Sequence, residues 1–121
     1  MKVLVVKPHM QPVISELCDL KAMQECVGGY IQAIYPWDDI PVALVCDEEG
    51  LYHESDWNRY ICEGVVIKGT FFICGFGEED FADLPDELVE RFKNEFAEPE
   101  AFIRTPNGVL VINRFGIRAR I

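Results

Sequence analysis

The chain has 121 residues, half of them hydrophobic, which is enough to bury one real core and too apolar for wholesale disorder. A net charge of −10 excludes general binding to DNA or to anionic membrane, and no direct nucleic-acid contact is expected. The longest apolar runs (VLVV, FFIC, VLVI) are far too short to cross a bilayer, so no membrane span is expected.

In chain order, Lys2 to Val6 reads as a buried-type strand. Lys7 and Pro8 cut this apolar run short with no small-residue cleavage site, so it is read as a strand and not as a signal peptide; a cytoplasmic protein is expected. Pro8 and Pro12 bracket a turn, and Val13 to Leu17 returns as the second strand of a hairpin. From Asp19 to Tyr35 the pattern changes to a short helix, a double-glycine stop and a strand. Leu20, Met23 and Val27 fall at i, i+3 and i+7 and share one helix face. Asp19 is placed as N-cap, Gly28 and Gly29 take the left-handed stop, and Tyr30 to Tyr35 follows as strand.

After the turn at Pro36-Trp37-Asp38-Asp39, Pro41 to Cys46 is another strand, and Asp47-Glu48-Glu49-Gly50 a tight reversal. Leu51 to Tyr60 is the least regular section. Val65–Ile67 and Thr70–Cys74 read as strands of an antiparallel meander, and Gly75 to Asp80 as a loop. A second helix opens at Leu84-Pro85-Asp86 with Asp83 as N-cap, carries the stripe Leu88, Val89, Phe92, Phe96, and stops at Pro99. Thr105-Pro106-Asn107-Gly108 is a turn into strand Val109–Asn113, and a last strand runs towards Ile121. The sum is a single α+β domain: an antiparallel or mixed sheet of about six strands with two helices, divided into a core over residues 1–100 and a basic C-terminal strand or tail over residues 101–121.

Several constellations bear on chemistry. The five cysteines have no CxxC spacing and no obvious electropositive neighbour, so they read as reduced, mostly buried thiols and not as nucleophiles served by His9 or His53. No His/Cys set has ligand spacing, so no metal, cofactor or catalytic residue is assigned. Gly75-Phe76-Gly77 follows a strand and precedes a helix, yet Glu78, Glu79 and Asp80 come next and would repel a phosphate. Those acids, with Asp83 and Asp86, are read instead as candidates for protein binding. Trp57, Asn58, Arg59 and Tyr60 have the residue types that hold a planar anion, set against an ordered loop with Trp57 tucked inwards.

The charge distribution sharpens this. Residues 101–121 carry Arg104, Arg114, Arg118 and Arg120 and no acid, which leaves residues 1–100 with 21 acids against seven bases, a net of −14. Arg114, Arg118 and Arg120 share parity, and Phe115, Ile117, Ala119 and Ile121 have the other. A strand here presents one basic and one apolar face: an edge pairing with a second subunit, a groove for phosphate, or an edge protected by its charges.

The stretches Val27–Ile31, Cys46–Gly50, Asn58-Arg59, Gly69–Phe72 and Glu79–Phe81 together resemble a family of short proteins of phages, prophages and conjugative elements, a domain of unknown function. The likeness covers roughly residues 1–98. It departs at Asp47, where the family more often has asparagine, and after residue 100, where the arginine tail is an addition. The resemblance brings no catalytic residues. It implies the accessory cargo of a mobile element, a setting rich in counter-defence proteins.

The leading expectation is a non-enzymatic binding protein that occupies a host protein, such as a nucleic-acid-binding defence factor, through its acidic surface, and that self-associates through the C-terminal strand. One alternative is a small-molecule binder that sequesters a nucleotide signal, with Arg59 and the tail arginines on phosphates. Another is a hydrolase or thiol enzyme.

Overall fold

The computed structural model describes residues 1–51 and 55–121. Two hairpins come first. Strand β1 (Lys2–Val6) returns as β2 (Val13–Glu16), and β3 (Ile31–Ile34) returns as β4 (Val42–Asp47). After a separate hairpin of β5 (Trp57–Cys62) and β6 (Val65–Lys68), strand β7 (Phe71–Phe76) enters between the first two, antiparallel to β1 and to β4. The order is β2-β1-β7-β4-β3, with the short β8 (Phe81–Ala82) paired to the end of β7. Three further strands, β9 (Ala101–Thr105), β10 (Gly108–Asn113) and β11 (Gly116–Arg120), form their own antiparallel sheet. The protein is thus an α+β domain with an antiparallel main sheet of six strands, two smaller sheets and two helices among the described residues.

The expected meander from β6 into β7 does not form. In β7, Phe71 and Ile73 point to one side and Phe72 and Cys74 to the other, and all four are buried. Such a strand needs a covered centre, whereas β6 has a half-buried pattern that suits a two-stranded flap. Gly69, at φ 76°, turns the chain from one to the other. Of the stretch expected to be irregular, Leu51 to Tyr60, residues 52–54 lie outside the described residues and the end forms an unforeseen strand, β5.

Each face of the main sheet has one helix. Helix α2 (Asp86–Glu95) lays Val89 and Phe92, with Phe96 just beyond, on Leu4, Val6, Leu44, Phe71 and Ile73, and Ile67 of β6 completes this layer. Trp37, Phe71, Phe92 and Phe96 meet through edge-on and stacked rings with centroids 4.7–6.5 Å apart. Burying one such ring contributes about 2–3 kcal/mol. Helix α1 (Leu20–Val27) covers the opposite face with Met23 and Val27 on Val3, Val5, Val45 and Phe72.

The Asp19 cap and the Gly28 stop act as the sequence foretells: Asp19 Oδ1 accepts from Ala22 N at 2.8 Å, and Gly28 at φ 86° closes the helix. Gly29 is a correction, for it is not left-handed and its missing side chain instead makes room for the Asp47 carboxylate, 2.5 Å from where a Cβ would stand. The start of α2 is a correction. Pro85 sits at its N-cap without a side-chain bond, and Asp83 Oδ1 instead accepts from Lys2 N at 2.8 Å. The backbone leaves Asp83 no choice, because Leu84 N donates to Lys2 O at 2.9 Å and holds this segment along β1.

The same crossing explains Gly75, where an added Cβ would stand 2.2 Å from Asp83 O. Gly75→Ala should therefore push β8 off β7 and lower stability by about 1–3 kcal/mol, as overpacking against backbone does. Thermal unfolding followed by circular dichroism checks this; an unchanged midpoint would contradict the close approach.

Candidate functional site

Antiparallel register sends five strand ends the same way. Lys2 lies opposite Glu16 and Val42 opposite Gly75, so the start of β1, the end of β2, the end of β3, the start of β4 and the end of β7 share one end of the main sheet. The turns and element ends here carry Glu16, Asp19, Asp38, Asp39, Glu78, Glu79, Asp80, Asp83 and Asp86, nine carboxylates that are all exposed. The five acids singled out from the sequence for protein binding fall here, and four others join them. Against them, the amino terminus is spent on Glu16 Oε2 at 3.1 Å, the Lys2 ammonium on Asp86, and Lys21 stands in the first turn of α1. The hydrogen bond to Asp86 pushes the Lys2 ammonium above the usual lysine range.

The acidic end is not merely a solvated rim. Between α1 and the β7–β8 loop lies a notch of about 450 Å³. Leu17, Leu20, Met23, Ile31 and Phe81 give it an apolar lining, and Asp19 and Asp80 add carboxylates. Alongside, at the same end, Tyr35 and Phe76 form a ring pair at 5.2 Å and are 49% and 42% exposed. An apolar floor with acids around it suits a side chain that has an apolar body and a cationic head, such as arginine, or an aromatic ring beside one.

The predicted anion-holding cluster is built differently. Arg59 and Asn58 are buried, at 1% and 0% exposure. Arg59 Nη1 donates to Asn58 Oδ1 at 2.8 Å and Asn58 O at 3.2 Å, and its Nη2 donates to Met10 O at 2.8 Å and Phe96 O at 2.9 Å. Asn58 Nδ2 donates to Val6 O at 2.9 Å and Gly69 O at 2.8 Å. The pair is a clasp joining the β1–β2 turn, β5, Gly69 and the end of α2, so its donors face the protein interior and not a groove. Burial lowers the Arg59 pKa, partly offset by Glu100. Trp57 stacks on Phe102 of β9 with centroids 5.6 Å apart, and Tyr60 lies beneath the Arg118 guanidinium at 5.8 Å.

The tail arginines do not converge either. Arg114 belongs to the β10–β11 turn, where it meets Glu98 Oε1 at 3.2 Å and covers the Phe115 ring at 4.7 Å. A bulge between Val111 and Ile112 breaks the strict alternation of β11. Arg118 falls at this bulge without a partner in the β10 register and stays half exposed, its Nε donating to Glu100 Oε2 at 2.9 Å, while Arg120 stands across from Leu110. The shared-parity basic face is thereby corrected to three separate arginines, and the apolar set is split as well, with Phe115 and Ile117 exposed at 74% and 70%. Glu100, itself 5% exposed, was not singled out from sequence; it accepts from Tyr60 N at 2.7 Å and ties the C-terminal sheet to β5.

The thiols have distinct fates. Burial pushes Cys74 up to about 12 and Cys46 up to about 11, and raises Cys26, which keeps these three as thiols. Cys18 and Cys62 are exposed, so the expectation of mostly buried cysteines holds for only part of the set. His9 is exposed, with Nε2 3.1 Å from Asp56 Oδ2, and His53 lies outside the described residues. Among the described residues no group of three His, Cys, Asp or Glu is placed to hold a metal ion, and no helix is long and apolar enough to cross a membrane.

The chain belongs to the family described as Domain of unknown function (DUF3846), whose model matches residues 1–97 and stops before β9. No curated protein and no solved structure matches it.

Proposed function

We propose that this chain is a non-enzymatic binding protein of a phage or mobile element, which occupies a basic surface of a host protein with the acidic end of its main sheet. Counter-defence is the purpose this reading assigns, and a nucleic-acid-binding defence factor is the kind of target whose charge it fits. The observation that carries the reading is the gathering of nine exposed carboxylates at one end, beside an apolar notch. The carboxylates supply long-range attraction and orientation, and the notch supplies a place to bury an anchor.

Immobilised protein should retain a host protein from lysate at low salt and release it at high salt. The variant Glu78→Lys/Glu79→Lys/Asp80→Lys should retain it at least about tenfold less well, since reversed charges remove attraction and add repulsion. Retention indifferent to both salt and substitution would remove the acidic end from the account.

A further inference from the structure

The sheet formed by β9, β10 and β11 leaves an outer face bare. Ile103 and Ile117 on it are 45% and 70% exposed, Phe115 in the turn at its edge is 74% exposed, and the side chains of residues 101–121 offer only positive charge around them. Phe115 projects at the β10–β11 turn with the Arg114 guanidinium 4.7 Å above its ring. The tip is therefore an apolar ring joined to a cation, the chemistry that the notch between Asp19 and Asp80 accepts.

We propose that the Arg114–Phe115 tip of one copy docks into the acidic notch of a second copy, so that the chain assembles head to tail. The inference rests on the acidic end serving as a binding surface, but it needs no foreign partner.

Three observations choose a second copy over other arrangements. First, the tip cannot fill the notch of its own chain. Glu100, Arg118 and Tyr60 fasten the C-terminal sheet to β5, and the β5–β6 hairpin packs on the α2 side, whereas the notch lies on the α1 side. Second, two C-terminal sheets stacked face to face would set Arg120 against its own copy on the face that carries Ile103 and Ile117, with no acidic side chain in residues 101–121 to neutralise it. Third, the complement is present in every copy: residues 1–100 hold all 21 acids of the chain, and nine of them surround the notch end. Arg114 gives up little by leaving Glu98, because its side chain is 72% exposed in that pair. Ile103 and Ile117 would extend contact beyond the tip towards the roughly 1,200 Å² or more that a stable interface buries. Since donor and acceptor are different surfaces, each added copy offers a fresh notch, and assembly continues unless the rotation closes a ring.

Sedimentation across a concentration series tests this. The wild-type mass should rise to two protomers and beyond. A tip variant, Arg114→Ser/Phe115→Ser, and a notch variant, Leu20→Lys/Asp80→Lys, should each stay monomeric. Mixed, they should give a one-to-one dimer that grows no further, because the intact tip of one meets the intact notch of the other. Should either double variant unfold, Phe115→Ala and Leu20→Ala carry the same contrast with a smaller loss. A wild type that is monomeric throughout, a tip variant that assembles like wild type, or a mixture of folded variants that stays monomeric overturns head-to-tail docking. Salt-sensitive capture of a foreign basic protein by a monomeric wild type would leave the proposed function standing while this inference fell.

Discussion

Arg59→Ala should lower stability by about 3–5 kcal/mol, the largest loss expected from any single substitution outside the aromatic core. The reason lies in the partners more than in the charge. Arg59 Nη1 and Nη2 serve the carbonyls of Asn58, Met10 and Phe96 and the Asn58 amide oxygen. Removing the guanidinium orphans these acceptors inside the protein, at about 1–3 kcal/mol for each that water cannot reach, and leaves a cavity as well. A buried cation is itself costly to desolvate, and Arg59 Nε has no hydrogen-bond partner among the described residues, which argues for an apolar replacement. That remedy works when both sides of an ion pair can be made apolar together. Here three of the four partners are main-chain oxygens, which no substitution deletes. Arg59→Met should therefore destabilise almost as much as Arg59→Ala, and Arg59→Lys should restore only part, because one ammonium cannot stand both at the Nη2 position, which serves Met10 O and Phe96 O, and at the Nη1 position, which serves Asn58 O and Oδ1. Urea midpoints for the three variants check the order; a methionine variant as stable as wild type would show that the clasp contributes only packing.

The second large effect is expected at Glu100. Its carboxylate joins Tyr60 N at 2.7 Å to Arg118 Nε at 2.9 Å and is 4% exposed in that ion pair. Glu100→Ala should cost about 2–3 kcal/mol, mostly from the Tyr60 amide left without an acceptor, because the half-exposed Arg118 can return to water. The loss should be local. Amide exchange should accelerate through residues 101–121 and at Tyr60, while Leu44, Ile73 and their neighbours in the main sheet keep their protection. Glu100→Gln, which retains one acceptor, should fall between. Uniform acceleration over the whole chain would mean that the C-terminal sheet is continuous with the core and not fastened to it through this joint.

How much of this was legible in the sequence varies by element. The two helices, the Asp19 cap, the Gly28 stop, β1 and β10 follow from local signals, and the structure keeps them because propensity and burial agree there. β7 was legible as a strand but not as the centre of the sheet, since period and composition carry no information about which neighbours a strand takes. β5 was hidden because Trp57-Asn58-Arg59-Tyr60 does not alternate. Its polar residues are buried by long-range bonds to Val6, Met10 and Phe96, and that satisfaction is visible only in three dimensions. The same fact made Arg59 read as a ligand donor. β9 was missed because Phe102 is its sole half-buried large side chain before Thr105, and because the residues before Val109 read as turn. Of the acidic end, Glu78, Glu79, Asp80, Asp83 and Asp86 stood out as a run; Glu16, Asp19, Asp38 and Asp39 joined them only through strand register. The notch residues carried a faint signal, Leu20 and Met23 on one helix face, which reads equally well as core.

The place of β7 has a consequence for synthesis. Its partners β1 and β4 leave the ribosome some seventy and thirty residues ahead of it, each already paired on its other side with β2 or β3. Until residue 76 emerges the β1–β2 and β3–β4 ribbons share no strand, each has one raw apolar margin from β1 or β4, and β7 must slide between them as a wedge. Long loops closed late make such assembly slow, and raw margins invite mispairing in the meantime. A messenger cut short within this interval would yield a product prone to clump, whereas one cut after the α2 segment would yield a closed sheet lacking only its C-terminal appendage.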